Sequence, residues 1–579
     1  MNQSIFAGSA GVLSALGFGL LVRCSPLLAQ TGGVVIDFGG VQVQPPPQIE
    51  IPDSVLQRAL AIFNARAPAT TRSYGGTTLI EARHAGSYAM YGGDLLVRTT
   101  IEGNVVVING DLRITAEGVV TGDVIVLGGR YTADAGATIR GAVAEYRQTA
   151  TVRRNPDGTL VAAEPTPSLR ELAGNAALRV GPAVLTPHFG LGVYNRVEGL
   201  PLAIGGNLAM RDPRDIALRL EGDVIVRTAR DPSGIRDPLG WRGRLSMSLP
   251  GPQAFVFGIE AGQRMVATAD RPFSDTESAL SAAFLRRDYR DWFQSKDVAA
   301  TGAWSPTDRL TLLGRIGAGR QRSVAAVDAF SLLRSSETWR SNPLVDDGKF
   351  LTLEVGASWD TRLDRAQPSD GWTVRGSLRR TSSDEITPIQ LPVQVRDPLP
   401  GSGYSSWEAA FLVRREQRLN PSTTVHAQLT GSGWLGGDPL TIQRRVALQG
   451  GDGLPAYTFR EIRCDPRRQV IAAQPALCDR RMLAQVELRH TTGLRLGTNF
   501  GPYAVGIDQP AIVLFGDFGS AWVAGDGPGR VPSGRIQSLA EWRGDLGVGL
   551  DGGWLGLYAA RSFTDNRPVR LVIRLQQRF

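Results

Sequence analysis

Few residues of this chain have side chains that could do covalent or metal chemistry. Two of its three cysteines, Cys464 and Cys478, enclose a segment rich in Arg, Pro and Asp that has the composition of an exposed loop. In an oxidising compartment such a pair is usually a disulfide, and we predict one here. The alternative, a metal site, needs further ligands nearby. The four histidines do not supply them, because they are scattered at His84, His188, His426 and His490.

The sequence contains no recognisable catalytic motif. It has no G-x-S-x-G nucleophile elbow and no H-E-x-x-H metal motif, and neither Lys296 nor Lys349 lies in a phosphate-binding loop. We therefore predict that the protein is not an enzyme and binds no cofactor. A generic alternative is a hydrolase site assembled from distant loops, and its candidate residues are His426 and His490. We expect these two to be ordinary histidines of the strands or the lumen.

Composition excludes several classes of protein. The chain of 579 residues carries 63 basic and 55 acidic side chains, a formal charge of +8, and nearly all of the basic ones are arginine. Hydrophobic residues make up 42%, which is ample for a folded core and excludes a disordered chain. No run of about 20 apolar residues follows the N-terminal segment, which excludes a membrane protein of several helices. Nucleic acid is a poor explanation of the basicity because the N-terminus predicts export.

Residues 1–29 have the features of a secretory signal peptide. The stretch from Ile5 to Val22 is apolar and rich in Gly and Ala, and Ala29 is a small residue suited to cleavage. No basic side chain precedes the apolar stretch, although signal peptides usually have one there, which favours a translation start at a different position. Lipidation of Cys24 is disfavoured because Arg23 occupies the position of a small residue, and a buried N-terminal helix is the remaining alternative. We predict an exported protein.

Two linkers flank a periodic segment. The first linker, residues 30–90, includes an amphipathic helix at about Asp53–Arg66, and the second, residues 146–180, includes a turn at Asn155–Gly158 and a short helix at Pro165–Ala177. Between them, short Val/Ile runs recur with glycine at a fixed period, which predicts a β-solenoid over residues 91–145. A small β-sandwich is the alternative. The glycines recur every 19 residues, at Gly103, Gly122 and Gly141 and at Gly110 and Gly129.

This periodic segment resembles the β-helical core of bactofilin-like polymer-forming proteins. The resemblance covers about 50 residues and rests on composition. Because a solenoid has open ends that are either capped or paired, it implies self-association or docking through this domain.

Residues 181–579 alternate apolar and polar side chains in segments of about ten residues, the length of a membrane-spanning β-strand. About 400 residues at about 25 per strand and connection give about 16 strands. A soluble β-sandwich would also alternate. The membrane is favoured because all 11 tryptophans lie between Trp241 and Trp554, several of them at segment ends. The fold class predicted is all-β: a transmembrane antiparallel β-barrel of about 16 strands after a short solenoid. Among the predicted strands are Asp215–Thr228, Phe350–Trp359, Gly371–Arg379, Met482–Arg489 and Arg570–Phe579.

Several motifs in the barrel segment resemble those of the bacterial surface antigen barrels, the BamA/TamA superfamily of insertases and translocases. Together they extend from Tyr194 to Phe579, and the final strand looks like a terminal assembly signal. The resemblance implies a weakly paired seam between the first and last strands, where a client strand can add. The motifs are Asp360-Thr361-Arg362 with Pro368 and Gly371-Trp372, Tyr194–Leu200, Phe515-Gly516-Asp517-Phe518-Gly519, and the glycine-rich Leu546–Leu550. Of these, Tyr194–Leu200 looks like an early-strand segment of the superfamily.

The sequence departs from the superfamily at one important position. The inward-folded loop of these barrels carries an arginine that pairs with the aspartate of the F-x-D-x-G motif, here Asp517. In this chain Gly450 and Gly451 lead to Tyr457, and Pro455 occupies the arginine position. A buried carboxylate without a cation is costly, so we expect another arginine at Asp517, and Arg460, close to Pro455, is the nearest candidate. Alternatively, Asp517 faces water in the lumen. The implied structural residues are Gly450, Gly451, Tyr457, Arg460, Asp517, Gly519 and Phe579.

The predicted function is to assist the insertion or translocation of polypeptide or lipid at the outer membrane of a Gram-negative bacterium, with the N-terminal domain in the periplasm. The solenoid occupies the place of the POTRA modules of the insertases, so fold alone does not decide the activity. The alternatives are a structural anchor that docks through its solenoid, and a passive anion-preferring pore. Arginines expected to face the lumen or to pair with lipopolysaccharide phosphates are the basis for the pore and for lipid contacts. Those expected to face the lumen include Arg219, Arg315, Arg375 and Arg574, and the lipopolysaccharide contacts are expected from other arginines at loop ends.

Overall fold

The computed structural model has two parts, an N-terminal solenoid and a C-terminal barrel. The predicted signal peptide, the helix at Pro165–Ala177, Gly450, Gly451 and Phe579 lie outside the residues it describes. The described residues are 51–66, 68–146, 150, 152–155, 157–162, 178–180, 183–211, 216–229, 238–249, 254–269, 271, 273–307, 309–334, 336–362, 371–391, 395–420, 422–448, 453–462, 464, 477–492, 494–500, 503–508, 510–527, 529–552, 555–575 and 577–578.

The solenoid is built from three parallel sheets whose strands follow one another around successive coils. Val, Ile and Leu side chains from all three sheets fill its interior. The first sheet contains β1 (Thr70–Tyr74), β3 (Ser87–Tyr91), β6 (Val105–Ile108), β9 (Val124–Leu127) and β12 (Val143–Tyr146). The second contains β2 (Thr77–Ile80), β4 (Asp94–Val97), β7 (Leu112–Ile114) and β10 (Tyr131–Ala133), and the third β5 (Thr100–Ile101), β8 (Val119–Val120) and β11 (Thr138–Ile139).

The solenoid begins at Thr70, earlier than the predicted start at residue 91. Its first two coils advance by 17 residues, as the pairings of Thr70 with Ser87 and of Tyr88 with Val105 show. Only the later coils advance by 19, as in the pairing of Val105 with Val124. A search for one fixed period therefore finds the later coils and assigns the earlier ones to the linker.

A ladder of polar side chains connects neighbouring coils at one corner of the solenoid. The Oγ of Ser87 accepts from the backbone N–H of Asn104, whose Oδ1 accepts from the N–H of Asp123, whose Oδ1 accepts from the N–H of Ala142. Ala142 has no acceptor side chain, so this ladder ends with the last coil. At a second corner the coils touch backbone to backbone, and a Cβ at Gly110 would lie 1.9 Å from a carbonyl oxygen of the coil below.

The predicted helix at Asp53–Arg66 is confirmed as α1 (Asp53–Asn64). It packs with a hairpin, β13 (Val152–Arg154) and β14 (Leu160–Ala162), on the outer face of the first solenoid sheet. The hairpin turns at the predicted Asn155–Gly158. Both elements therefore belong to the solenoid domain.

The barrel is one antiparallel sheet of 17 strands in the described part of the chain, a three-residue strand followed by sixteen longer ones, and the predicted fold class is confirmed. A separate hairpin, β28 (Arg495–Phe500) and β29 (Tyr503–Asp508), projects between two of its strands. The strands are β15 (Leu178–Val180), β16 (Ala183–Leu191), β17 (Pro201–Arg211), β18 (Ala217–Arg227), β19 (Leu239–Leu249), β20 (Ala254–Ala267), β21 (Trp292–Ser305), β22 (Leu310–Ser323), β23 (Asp347–Asp360), β24 (Gly371–Thr387), β25 (Tyr404–Asn420), β26 (Thr423–Gly437), β27 (Arg480–Thr491), β30 (Ala511–Trp522), β31 (Arg543–Asp551), β32 (Gly556–Ser562) and β33 (Arg570–Arg574).

The two faces of the sheet differ in polarity as a bilayer requires. Outward residues such as Leu353, Val355 and Leu514 are apolar and exposed, whereas inward residues such as Glu354 and Asp517 are charged and buried. Six partly exposed tryptophans lie near strand ends and form two girdles, as membrane barrels require. Trp304, Trp359 and Trp372 lie at one end of the barrel, and Trp241, Trp407 and Trp434 at the other.

Connections at the two ends of the barrel differ in length. Short connections, such as residues 306–309 and 421–422, are at the end that faces the solenoid, where Arg418 donates to the carboxylates of Asp94 (2.7 Å) and Asp111 (3.3 Å). Residues 492–510, which include the β28–β29 hairpin, form a long connection at this same end, and the other long connections are at the opposite end. One of them contains α2 (Asp275–Leu285), and others contain short 3-10 helices at Ile442–Arg444 and Leu539–Glu541. No helix in the described ranges is long and apolar enough to cross a bilayer.

Candidate functional site

The longest connection, residues 438–479, packs its tip against the inner side of the last strands. The backbone N–H of Ala456 donates to Asp545 Oδ2 on β31 at 2.7 Å. The hydroxyl of Tyr457 donates to Asp565 Oδ2 at 2.7 Å and lies 2.9 Å from Ser562 Oγ on β32. Leu454 and Tyr457 are buried. The loop is therefore folded inward, as the resemblance implied, and is bound to the wall at the last strands.

Asp517 has a cation partner, but it is not Arg460. The guanidinium of Arg578, beyond the end of β33, donates to Asp517 Oδ2, and the amide of Gln485 donates to Oδ1 at 3.0 Å. Arg578 also lies 3.7 Å from the ring centroid of Phe515, on the same strand as Asp517. The expectation of an arginine is thus correct, whereas its assignment to Arg460 is corrected. The chain terminus supplies the charge that Pro455 cannot.

Arg460 instead belongs to a buried cluster of loop residues at the long-connection end. Its guanidinium donates to Asp291, which also pairs with Arg196 at 2.9 Å and Arg340 at 2.7 Å. Arg196 further pairs with Asp288 at 2.9 Å. Burial alone would raise the pKa of Asp291, but the positive charges of Arg460, Arg340 and Arg196 together lower it well below its usual range. This cluster joins four long connections.

Tyr194–Leu200 supplies Arg196 to that cluster and is not the early-strand segment that its resemblance implied. The residues form a tight turn between β16 and β17, closed by backbone hydrogen bonds between Asn195 and Gly199. Arg196 is fully buried at the top of this turn.

Gly519 occupies a position where only glycine fits. A Cβ there would lie 2.7 Å from the carbonyl oxygen of Met482 on β27 and 2.9 Å from the side chain of Leu483. The disulfide joins Cys464 and Cys478, whose Cα atoms are 5.4 Å apart, at the C-terminal end of the same folded loop.

The histidines proposed for a generic hydrolase make ordinary contacts. His426 Nε2 lies 3.1 Å from Thr424 Oγ1, and His490 Nδ1 lies 2.9 Å from Thr423 Oγ1. Within the described residues no group of three or more His, Cys, Asp or Glu side chains could hold a metal ion.

The seam between the first and last long strands is unpaired. Within the described residues, no backbone hydrogen bond joins β33 to β15 or β16. Leu571 and Ile573 on the outer face of β33 are 81% and 67% exposed. β33 ends at Arg574, earlier than the predicted end at residue 579, because the backbone N–H of Leu575 donates to Glu277 Oε1 of α2 at 2.9 Å instead of to a strand.

The residues that sequence reasoning missed are Glu277, Arg570 and Arg578. Glu277 closes a capping box with Ser274 at the start of α2, and the S-x-x-E spacing is a recognisable signal for such a helix. The two arginines and Arg574 recur every fourth residue, so they lie on one face of an extended chain, which alternation alone could have indicated.

No family model and no curated protein matches this chain. In fold it is similar to BamA from Haemophilus ducreyi lacking POTRA domains 1-3, with a TM-score of 0.39 and 12% identity over 67% of this chain and 70% of that chain. CdiB from Acinetobacter baumannii gives a TM-score of 0.29 and 12% identity over 68% of this chain and 59% of its own. CdiB from Escherichia coli gives a TM-score of 0.29 and 11% identity over 69% of this chain and 62% of its own.

Proposed function

We propose that this protein is an outer-membrane barrel of a Gram-negative bacterium that assists the insertion or translocation of polypeptide or lipid at its seam. The observation that carries the proposal is that β33 has no partner strand on its seam side in the described part of the chain, while Leu571 and Ile573 face outward there. An unpaired strand edge binds another strand through main-chain hydrogen bonds, so a client strand can extend the sheet there. The solenoid, at the short-connection end, faces the periplasm.

A photocrosslinking probe at Ile573 in living cells tests this proposal. We expect discrete adducts with other outer-membrane or exported polypeptides. A probe at Leu245, an exposed outward residue of β19 on the unbroken wall, is the matched control and should give none. Heat-modifiable gel mobility shows that both variants fold. If the Ile573 probe gives no more adducts than the Leu245 probe, the seam does not handle clients.

A passive pore is the second candidate, and a cavity in the lumen favours it. The cavity has a volume of about 550 Å³ and is lined by charged side chains of both signs. Arg315 pairs with Glu260 at 3.2 Å and Arg379 with Glu354 at 2.7 Å, so much of the arginine charge is neutralised. Steady conductance of purified protein in planar bilayers would support a pore, and weak anion selectivity is then expected.

A further inference from the structure

The inner face of the terminal segment is a row of arginines. Arg570, Arg574 and Arg578 are four residues apart, and in an extended chain residues separated by an even number lie on the same face. The outward residues between them, Leu571 and Ile573, are apolar. Arg574 and Arg578 are buried.

Each arginine of this row is bound by a different internal element. Arg570 donates to the carbonyl oxygens of Pro455, at 3.0 Å, and of Tyr457 in the folded loop. Arg578 donates to Asp517 of β30. A loop and a wall strand thus hold the two ends of the segment.

The middle arginine is bound by helix α2, which comes from the connection between β20 and β21. Arg574 donates to both carboxylate oxygens of Glu277, through Nε at 2.7 Å and Nη2 at 3.2 Å. The same carboxylate accepts the N–H of Leu575, so the helix takes both the side chain and the backbone at the end of β33. Hydrogen bonds between ionised groups of this kind are about twice as strong as neutral ones.

By contrast, no described hydrogen bond fastens the terminal segment to the first strands. β15 already pairs with Ala183, Val184 and Leu185 on this edge of β16, so Thr186–Leu191 are the residues that β33 could meet. The chain beyond Arg574 would have to leave Glu277 in order to lengthen β33.

We propose that Arg570, Arg574 and Arg578 form an internal latch that holds β33 against the loop, α2 and β30 and thereby keeps its edge free of β16. The latch rests on the proposed function in one respect, since the edge that it keeps free is the edge offered to a client strand. Release of Glu277 allows the chain after Arg574 to straighten and β33 to pair with β16.

Disulfide trapping across the seam in purified full-length protein tests the latch. Ile573→Cys is combined in turn with Phe189→Cys and Leu191→Cys on β16, two exposed outward positions beyond the residues that pair with β15. Glu277→Gln is then added to each pair. We expect the yield of the β16–β33 disulfide to rise roughly tenfold, as the loss of hydrogen bonds to a charged group should allow.

The matched control is Asp275→Asn, which removes the same charge from the first turn of the same helix. Asp275 pairs with Arg290 at 2.6 Å and not with the row. The latch is refuted if Glu277→Gln leaves the yield unchanged, or if Asp275→Asn raises it equally. If Glu277→Gln does not give a heat-modifiable barrel, Arg574→Gln decides by the same criteria.

Because no client is present in this experiment, its outcome is independent of the proposed function. The two are then separated by the photocrosslinking probe at Ile573. If the disulfide experiment supports the latch but the Ile573 probe gives no client adducts, the latch stands and the proposed function is wrong. Adducts that persist at the same level when Glu277→Gln closes the seam would overturn the role of the latch in client access.

Discussion

At the scale of single residues, Asp517 shows what sequence can and cannot predict. That a buried carboxylate needs a cation follows from its surroundings in the F-x-D-x-G motif. Which arginine provides it depends on how the chain terminus turns inward, and Arg578 is 61 residues from Asp517. Proximity to Pro455 in the folded loop favoured Arg460, which a distant carboxylate, Asp291, binds instead.

Replacing Asp517 should therefore strongly destabilise the barrel. Asp517→Asn removes the nearer of two carboxylates from the buried guanidinium of Arg578 and leaves Glu487 at 3.6 Å, and breaking a buried ion pair costs about 3–5 kcal/mol. The measurement is the urea midpoint for loss of heat-modifiable mobility. Glu337→Gln, which breaks a surface pair with Arg334, is the control and should change stability by no more than about 1 kcal/mol. Equal effects of the two substitutions would contradict the buried pair.

Asp291 should make the loop cluster sensitive to acid only below its usual pKa. Its folded pKa is lowered, so its stabilising effect is complete above the unfolded value of 3.8 and is lost as the pH falls below that value toward the folded pKa. Asp291→Asn should lower the thermal midpoint of unfolding at pH 7. The difference in thermal midpoint between this variant and the wild type, the gap, should narrow as the pH falls from 4 to about 2. A gap that stays constant down to pH 2 would show that Asp291 does not stabilise the cluster as a carboxylate.

At the scale of elements, the sequence predicted those with a regular period and missed those with an irregular one. Strands such as β23 and β27 were found because period 2 persists over their length. The first two coils were missed because their 17-residue advance differs from the 19 of the later coils. Helix α2 was missed because its apolar stripe is interrupted, although its capping box was visible.

The polar ladder should contribute measurably to solenoid stability. Asn104→Ala removes the Oδ1 that accepts the N–H of Asp123 at 2.8 Å, and an unsatisfied buried donor costs about 1–3 kcal/mol. Asp134→Ala is the matched control in the same domain, because Asp134 pairs with Arg113 at the surface. Chemical denaturation followed by far-UV circular dichroism of the full chain should show an earlier solenoid transition for Asn104→Ala. If both variants unfold together with the wild type, the ladder is not stabilising.

At the scale of the whole molecule, the solenoid and the barrel are two periodic structures, and Arg418 joins them in the described part of the chain. Each was recognisable alone, since repeat and alternation are local properties of the sequence. The pairing of Arg418 with Asp94 and Asp111 could not be predicted, because more than 300 residues separate the partners. The solenoid shares neither the loop nor the terminal segment of the seam, which suggests that the seam works without it.

Deleting residues 51–162 should therefore leave the barrel folded and the seam active. The seam contacts come from the folded loop, α2, β30 and β33, all within the barrel segment. The variant should keep heat-modifiable mobility and the adducts formed by the Ile573 probe. Arg418→Ala in the full chain is the control for release of the solenoid without its removal. A deletion that leaves the barrel folded but abolishes the Ile573 adducts would contradict this prediction. The protein would then act as an anchor through its solenoid, and the seam would not be its working site.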